Sequence, residues 1–189
     1  MSAWIAFECA RWRLRGLVLC GLRRQALDLA QGVLLSHPDD KYTLATCAHL
    51  QVERGEQAAA LQNLQRLVAL QPGQAAAWFN LGFVLEAMGQ LPEAETAFGR
   101  ATAIDPGLDR AWYGLGLCLI RQHRYEDAVA ALRKTTELQP MSPCAWYQLA
   151  RVHVERREPE QAVSIIRHLR GFEPRVADQL QRETGLCPS

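Results

Sequence analysis

What is missing from this sequence narrows its function before any motif is found. Charge of one sign is missing: 21 basic side chains stand against 20 acidic ones for a net +1, so no long-range field draws the chain to nucleic acid or an anionic surface. Lysine is nearly absent, with only Lys41 and Lys134 among the basic residues; the arginine bias points to a GC-rich genome and says little about chemistry. Apolar runs are short. None approaches the roughly 18 uncharged residues of a membrane span, and the stretch from Met1 to Arg15, although it holds Trp4 and Phe7, is interrupted by Glu8, Arg11 and Arg13 before a signal-type segment develops.

Site chemistry is missing as well. The six cysteines, Cys9, Cys20, Cys47, Cys118, Cys144 and Cys187, form no C-x-x-C pair and have no histidine at zinc-finger spacing. They are expected to be reduced thiols in a reducing, cytoplasmic compartment. There is no glycine-rich phosphate loop, no H-E-x-x-H and no paired-carboxylate arrangement. The five histidines, His37, His49, His123, His153 and His168, stand at offsets that bring no nucleophile, base and orienting group together. His153 substitutes for a core residue, and His37, His123 and His168 read as surface. No enzyme activity, metal or cofactor is expected.

What is present is a repeat. Apolar residues make up 49% and charged residues 22% of 189 residues, the balance of an ordinary folded domain with a core of its own. Within it Trp78, Trp112 and Trp146 recur every 34 residues, with Leu44 one period earlier. Leu81, Leu115 and Leu149 follow three residues on, then Gly82, Gly116 and Ala150. Ala60, Ala94, Ala128 and Ala162 form an unbroken column, as do Pro72, Pro106, Pro140 and Pro174. Independent columns holding one period over a hundred residues define a repeat architecture. Its units are 7–40, 41–74, 75–108, 109–142 and 143–176, the first divergent, in one domain over 1–189.

Each unit reads as two helices. Trp78, Leu81, Gly82 and Leu85 fall at i, i+3, i+4 and i+7, one face of a first helix. Gly89 ends it. Pro92 suits the first turn of a second helix, where its missing N–H has no partner to lose. Ala94, Phe98 and Ala101 give that helix its own stripe, and Asp105, Pro106 and Gly107 stop it. After Pro174 a short amphipathic segment, about 175–184, with Val176, Ala177 and Leu180 inward, predicts a C-terminal capping helix. Cys47 and Gln51 occupy core columns of the unit 41–74, which leaves its packing an open question.

These columns resemble the tetratricopeptide repeat family, whose pattern is W-x2-L-G-x2-Y, then A-x3-F, then P. The unit 75–108 carries it as Trp78, Leu81, Gly82, Ala94, Phe98 and Pro106, with Leu85 at the tyrosine column. The resemblance implies an all-α fold, a right-handed superhelical solenoid of antiparallel helix pairs, and a protein-binding function on a concave face lined by first helices. Residues that would line such a groove are His49, Phe79, Asn80, Phe83, Arg110, Tyr113, Leu117, Tyr147 and Arg151. Phe83 and Leu117 stand where the family often carries a polar asparagine, so the expected groove is apolar, and each side chain buried against a ligand is worth about 1.5 to 3 kcal/mol. Some family members clamp the C-terminal carboxylate of heat-shock chaperones. Here Asn80 and Arg110 match that clamp while Ala45, His49 and Gly114 do not, so it is incomplete.

The expected function is therefore an adaptor or chaperone-like scaffold that holds a protein or peptide segment, similar in chemistry to bacterial secretion chaperones built on this repeat. No nucleic acid and no membrane insertion are expected. The alternative is a permanent architectural subunit of a secretion, pilus or envelope assembly. One further feature stands out at the N-terminus. Phe7, Ala10, Leu14 and Leu17 form the inner stripe, yet Ile5, Trp12 and Leu19 form a second apolar strip nearly opposite. Either that strip self-associates as a homodimer or docks on a partner through Ile5 and Trp12, or Trp12 folds back over the second helix.

Overall fold

A computed structural model describes residues 3–186; Cys187, counted above among the reduced thiols, lies outside them. The described residues form eleven α-helices in succession. The chain divides into two compact units, Met1–Met88 and Gly89–Ser189. The first holds α1 (Ala3–Leu19), α2 (Arg23–Ser36), α3 (Lys41–Glu53), α4 (Gln57–Leu70) and α5 (Ala75–Ala87). The second holds α6 (Leu91–Ile104), α7 (Asp109–Arg121), α8 (Tyr125–Leu138), α9 (Pro143–Glu155), α10 (Pro159–Arg170) and α11 (Pro174–Thr184). Within each unit every helix packs on its neighbours in sequence, and α11 also touches α9.

The repeat columns acquire physical meaning in this packing. Ala26, Ala60, Ala94, Ala128 and Ala162 are all 0% exposed, so a larger side chain there would have to displace close-packed neighbours. Phe98 of α6 is buried, and its ring lies where a Cβ on Gly114 of α7 would fall, only 2.6 Å from Cζ. Gly116 is crowded in the same way by Leu132 of α8, whose Cγ is 2.9 Å from the site of a Cβ. The tryptophan and proline columns are partners. The indole Nε1 of Trp78, Trp112 and Trp146 donates to the carbonyl of Pro72, Pro106 and Pro140, at 2.8, 2.9 and 2.7 Å. Each ring stays half-buried, with its polar tip fastened to the turn that precedes its helix.

The turn inside each helix pair needs one residue in the left-handed region. Gly21, Gly55 and Gly89 occupy it at φ 70°, 77° and 77°. In the last two pairs the same column holds His123 at φ 57° and Arg157 at φ 60°, a backbone that costs a non-glycine residue about 1 to 2 kcal/mol. The His123 ring meets Tyr125, Nδ1 lying 3.0 Å from the phenol oxygen, which offsets part of that cost.

Of the histidines read as surface, His123 and His168 are exposed and His37 is half-buried. His37 stacks on Phe7 with centroids 4.0 Å apart, and His168 sits between Trp146 and Phe172. His153 is buried, its Nδ1 2.7 Å from Glu158 Oε2.

Polar residues in the core of α3 have found partners. Gln51 and Cys47 are both buried, and Asn63 of α4 reaches them, Nδ2 donating to Gln51 Oε1 at 2.8 Å and to Cys47 Sγ at 3.6 Å. One amide thus satisfies two groups that would each cost free energy if buried alone. Burial pushes the Cys47 thiol up to about 11, with Glu56 adding to the effect and the Asn63 bond working against it. The native state therefore holds this proton more tightly than the unfolded chain does. The stability that follows is full below the ordinary thiol value of 9.0 and is lost as pH rises toward about 11. Alkylation of the native protein at pH 8 should label the exposed Cys9, Cys20 and Cys144 and spare Cys47. Rapid labelling of Cys47 below pH 9, read by mass spectrometry, would contradict this assignment.

Candidate partner-binding site

Helical spacing places the groove residues in two sets, one in each unit. In the first unit α3 carries His49 and α5 carries Phe79, Asn80 and Phe83. His49 is exposed, with Nε2 3.5 Å from Glu53 Oε1 one turn along. Asn80 is exposed, Phe79 half-buried, and Phe83 stands 49% exposed, a large apolar side chain open to solvent. In the second unit Arg110, Tyr113 and Leu117 of α7 fall at i, i+3 and i+7, and Tyr147 and Arg151 of α9 at i and i+4. Arg110 and Arg151 are exposed, whereas Tyr113, Leu117 and Tyr147 are half-buried. Tyr113 and Tyr147 each lay one side against the core cluster built on Leu132, Leu149 and Ile166.

Between α7, α9 and α11 lies a cleft of about 270 Å³ lined by Tyr113, Cys144, Tyr147, Gln148, Val176 and Gln179. Beside it a second hollow of about 340 Å³ runs past Arg151, Val154, Glu155 and Glu183. Tyr147 stands in both. Its hydroxyl donates to Glu183 Oε2 at 2.7 Å, while Gln179 Nε2 donates to the other carboxylate oxygen at 2.8 Å. The Arg151 guanidinium lies 5.8 Å from the Tyr147 ring centroid. The Gln179 and Tyr147 bonds hold the Glu183 carboxyl below its usual range, and the same carboxylate raises the Tyr147 phenol. Burial raises the Tyr113 phenol.

These contacts show what sequence reasoning missed. Gln179 and Glu183 belong to α11, read from the sequence only as a cap, and they form one wall of the cleft. Their i, i+4 spacing was legible, but not that it would face Tyr147. Cys144 is exposed at the mouth of the cleft. The walls mix apolar ring faces with hydroxyl, amide, guanidinium and carboxylate groups. Such a surface suits a peptide, with flat apolar contacts and a few groups that fix its orientation. Among the described residues no group of three His, Cys, Asp or Glu side chains could hold a metal ion, and no helix is long and apolar enough to cross a membrane.

The family follows from sequence and fold together. Tetratricopeptide repeat profiles match residues 73–141 and 119–181, and a TPR repeat profile matches residues 48–89. The chain belongs to the tetratricopeptide repeat family, whose members are in general protein-interaction scaffolds. Among solved structures it is similar to MamA from Desulfovibrio magneticus RS-1, at 19% identity and a TM-score of 0.79, covering 94% of this chain and 96% of that one. It is also similar to YrrB, described as a TPR protein with an unusual peptide-binding site, at 16% identity, TM-score 0.80 and 89% and 88% coverage. PilW, a type IV pilus biogenesis factor, matches at 18% identity, TM-score 0.77 and 96% and 87% coverage. Likeness at these identities shows the fold alone. Comparison with curated proteins returns no match.

The geometry explains why the carboxylate clamp is incomplete. At Gly114 a side chain is excluded, because the Phe98 ring already fills the space a Cβ would need. A polar residue could not be accommodated there without displacing a buried ring, and His49 already faces Glu53. A peptide ending in an acidic, free-carboxylate tail should therefore bind no more tightly than its amidated form, with both weaker than about 100 µM by calorimetry. Micromolar binding that depends on the free carboxylate would show that another constellation serves as the clamp.

Proposed function

We propose that this protein is an interaction adaptor or chaperone-like scaffold rather than an enzyme, and that it holds a segment of a partner protein on the exposed faces of its first helices. One observation carries the reading. The cleft between α7, α9 and α11 presents the rings of Tyr113 and Tyr147, and beside them the Arg151 charge, at a surface with room for side chains of a partner. The exposed ring of Phe83 supplies an anchor in the first unit. Aromatic and arginine anchors of this kind carry most of the energy where peptides bind, and the family assignment supports a binding rather than a chemical role. We place it in the cytoplasm, a proposal supported by the free thiols of Cys9, Cys20, Cys47, Cys118 and Cys144.

A second reading, a permanent subunit of a secretion, pilus or envelope assembly, is favoured by the exposed apolar side chains of α1. A photoreactive residue at Phe83 or Arg151, with Arg133 on α8 as the control, separates the two in the source cell. An adaptor yields crosslinks at Phe83 and Arg151 that a soluble partner segment competes away, and Tyr147→Ala with Phe83→Ala lowers capture at least tenfold, about 1.4 kcal/mol. Crosslinks that no soluble segment displaces support the permanent subunit. Equal crosslinking at Arg133 would remove the face from consideration.

A further inference from the structure

The outer face of α1 is built like a helix-docking surface. On later first helices the column of Trp12 continues as Thr46, Asn80, Gly114 and Gln148, and at Gly114 it is pressed against Phe98 of the preceding second helix. The column of Cys9 continues as Thr43, Ala77, Ala111 and Ala145, and that of Gly16 as Leu50, Val84, Cys118 and Val152; all eight are buried. Leu50 shares a core cluster with Ala26, Leu27 and Ala30 of the preceding helix α2, and Val152 shares one with Val129 and Leu132 of α8. The repeat thus reserves the Cys9 and Gly16 columns for contact with a helix, whereas the Trp12 column between them is also exposed at Asn80. On α1 they are open: Cys9 is exposed, nothing lies within 4 Å of the site of a Cβ on Gly16, and Trp12 is 66% exposed. Trp12 does not fold back over α2.

The spacing of that face selects an occupant. Ile5, Cys9, Trp12, Gly16 and Leu19 advance by four, three, four and three residues, the seam of a two-helix coiled coil. Large and small side chains alternate along it. Reversed and laid on itself, the seam sets Ile5 over the other copy's Gly16 and Trp12 over its Cys9, so each large group meets a notch. In the same register Glu8 flanks one end and Arg15 the other, on the same edge of the seam, and an antiparallel pair brings each Glu8 beside the second copy's Arg15. The Arg15 guanidinium lies 5.3 Å from the Trp12 ring centroid and 4.8 Å from that of Tyr42 on α3. Glu8 accepts a partly exposed bond from Arg11 Nη1 at 3.2 Å.

We infer that α1 pairs with α1 of a second copy in an antiparallel, two-fold contact centred between Cys9 and Trp12. Such a contact is isologous and closes as a dimer. A lipid surface has no use for the notches at Cys9 and Gly16, and an unrelated helix has no reason to match the placement of Glu8 and Arg15. One helix pair overlapping for about 18 Å lies at the small end of specific interfaces, so the dimer is a weak, concentration-dependent one. It uses a face other than the Tyr113–Tyr147 cleft, so it stands or falls independently of the adaptor reading.

Sedimentation velocity of the full chain from about 1 to 100 µM tests this. The wild type should shift from the mass of one chain to that of two, while Trp12→Glu stays at one with unchanged helicity by circular dichroism. Glu8→Arg should weaken pairing at least tenfold, and adding Arg15→Glu should restore it to within about threefold. Because Arg15 is exposed and Glu8 only half-buried, the charge swap reads the pairing even if Trp12→Glu fails to fold. A wild type that stays monomeric throughout overturns the inference, as does pairing indifferent to the charge swap. Monomeric protein that sediments with phosphatidylserine vesicles, but not after Trp12→Glu, overturns it in favour of a membrane surface.

Discussion

A single steric constraint runs through this fold: one column of the second helices is an alanine sealed in the core, where a larger side chain would have to push packed neighbours apart. Ala26, Ala60, Ala94, Ala128 and Ala162 are sealed from solvent. Gly114 under Phe98 and Gly116 under Leu132 show the same demand met by removing even the methyl. Once this spacing is fixed, the period, the length of each helix and the direction each stripe faces follow, because a unit that cannot bury its apolar face alone must bury it against its neighbours. The tryptophan bond to the proline carbonyl then fastens each turn to the helix that follows it.

The binding surface is what this packing leaves over. Inner stripes of the first helices are consumed by the core, and the residues one step round each helix are left half-buried or exposed at the same period. That is why Tyr113 and Tyr147 lie in register, and why one side of each ring belongs to the core while the other borders the cleft. It also limits the chemistry the surface can carry. Gly114 could have held a polar group for a ligand, but it serves the packing of Phe98, and the clamp found in some relatives has no room to form.

Much of this was legible in the sequence, and the rest was hidden for identifiable reasons. Period, helix pairs and the sealed alanines could be read because each column repeats, and repetition separates signal from accident. Single events could not. That Asn63 would satisfy both Gln51 and Cys47 depends on one side chain of α4 pointing at α3, and nothing repeats to announce it. Tryptophan and proline columns were both visible, but spacing alone does not reveal that they are donor and acceptor. Glu183 and Gln179 were hidden because α11 is a solitary helix with no counterpart to compare. For Trp12 the sequence left two orientations open, and the ring is exposed.

If close approach at the alanine column organises the fold, the same enlargement should have very different effects at two neighbouring sites of α8. Ala128 is sealed and Ala130 is exposed, two residues along the same helix. Guanidinium unfolding of Ala128→Leu and Ala130→Leu compares them directly. The account predicts a loss of about 2 kcal/mol for Ala128→Leu and a change within about 0.5 kcal/mol for Ala130→Leu. Equal, small shifts at both positions would contradict it.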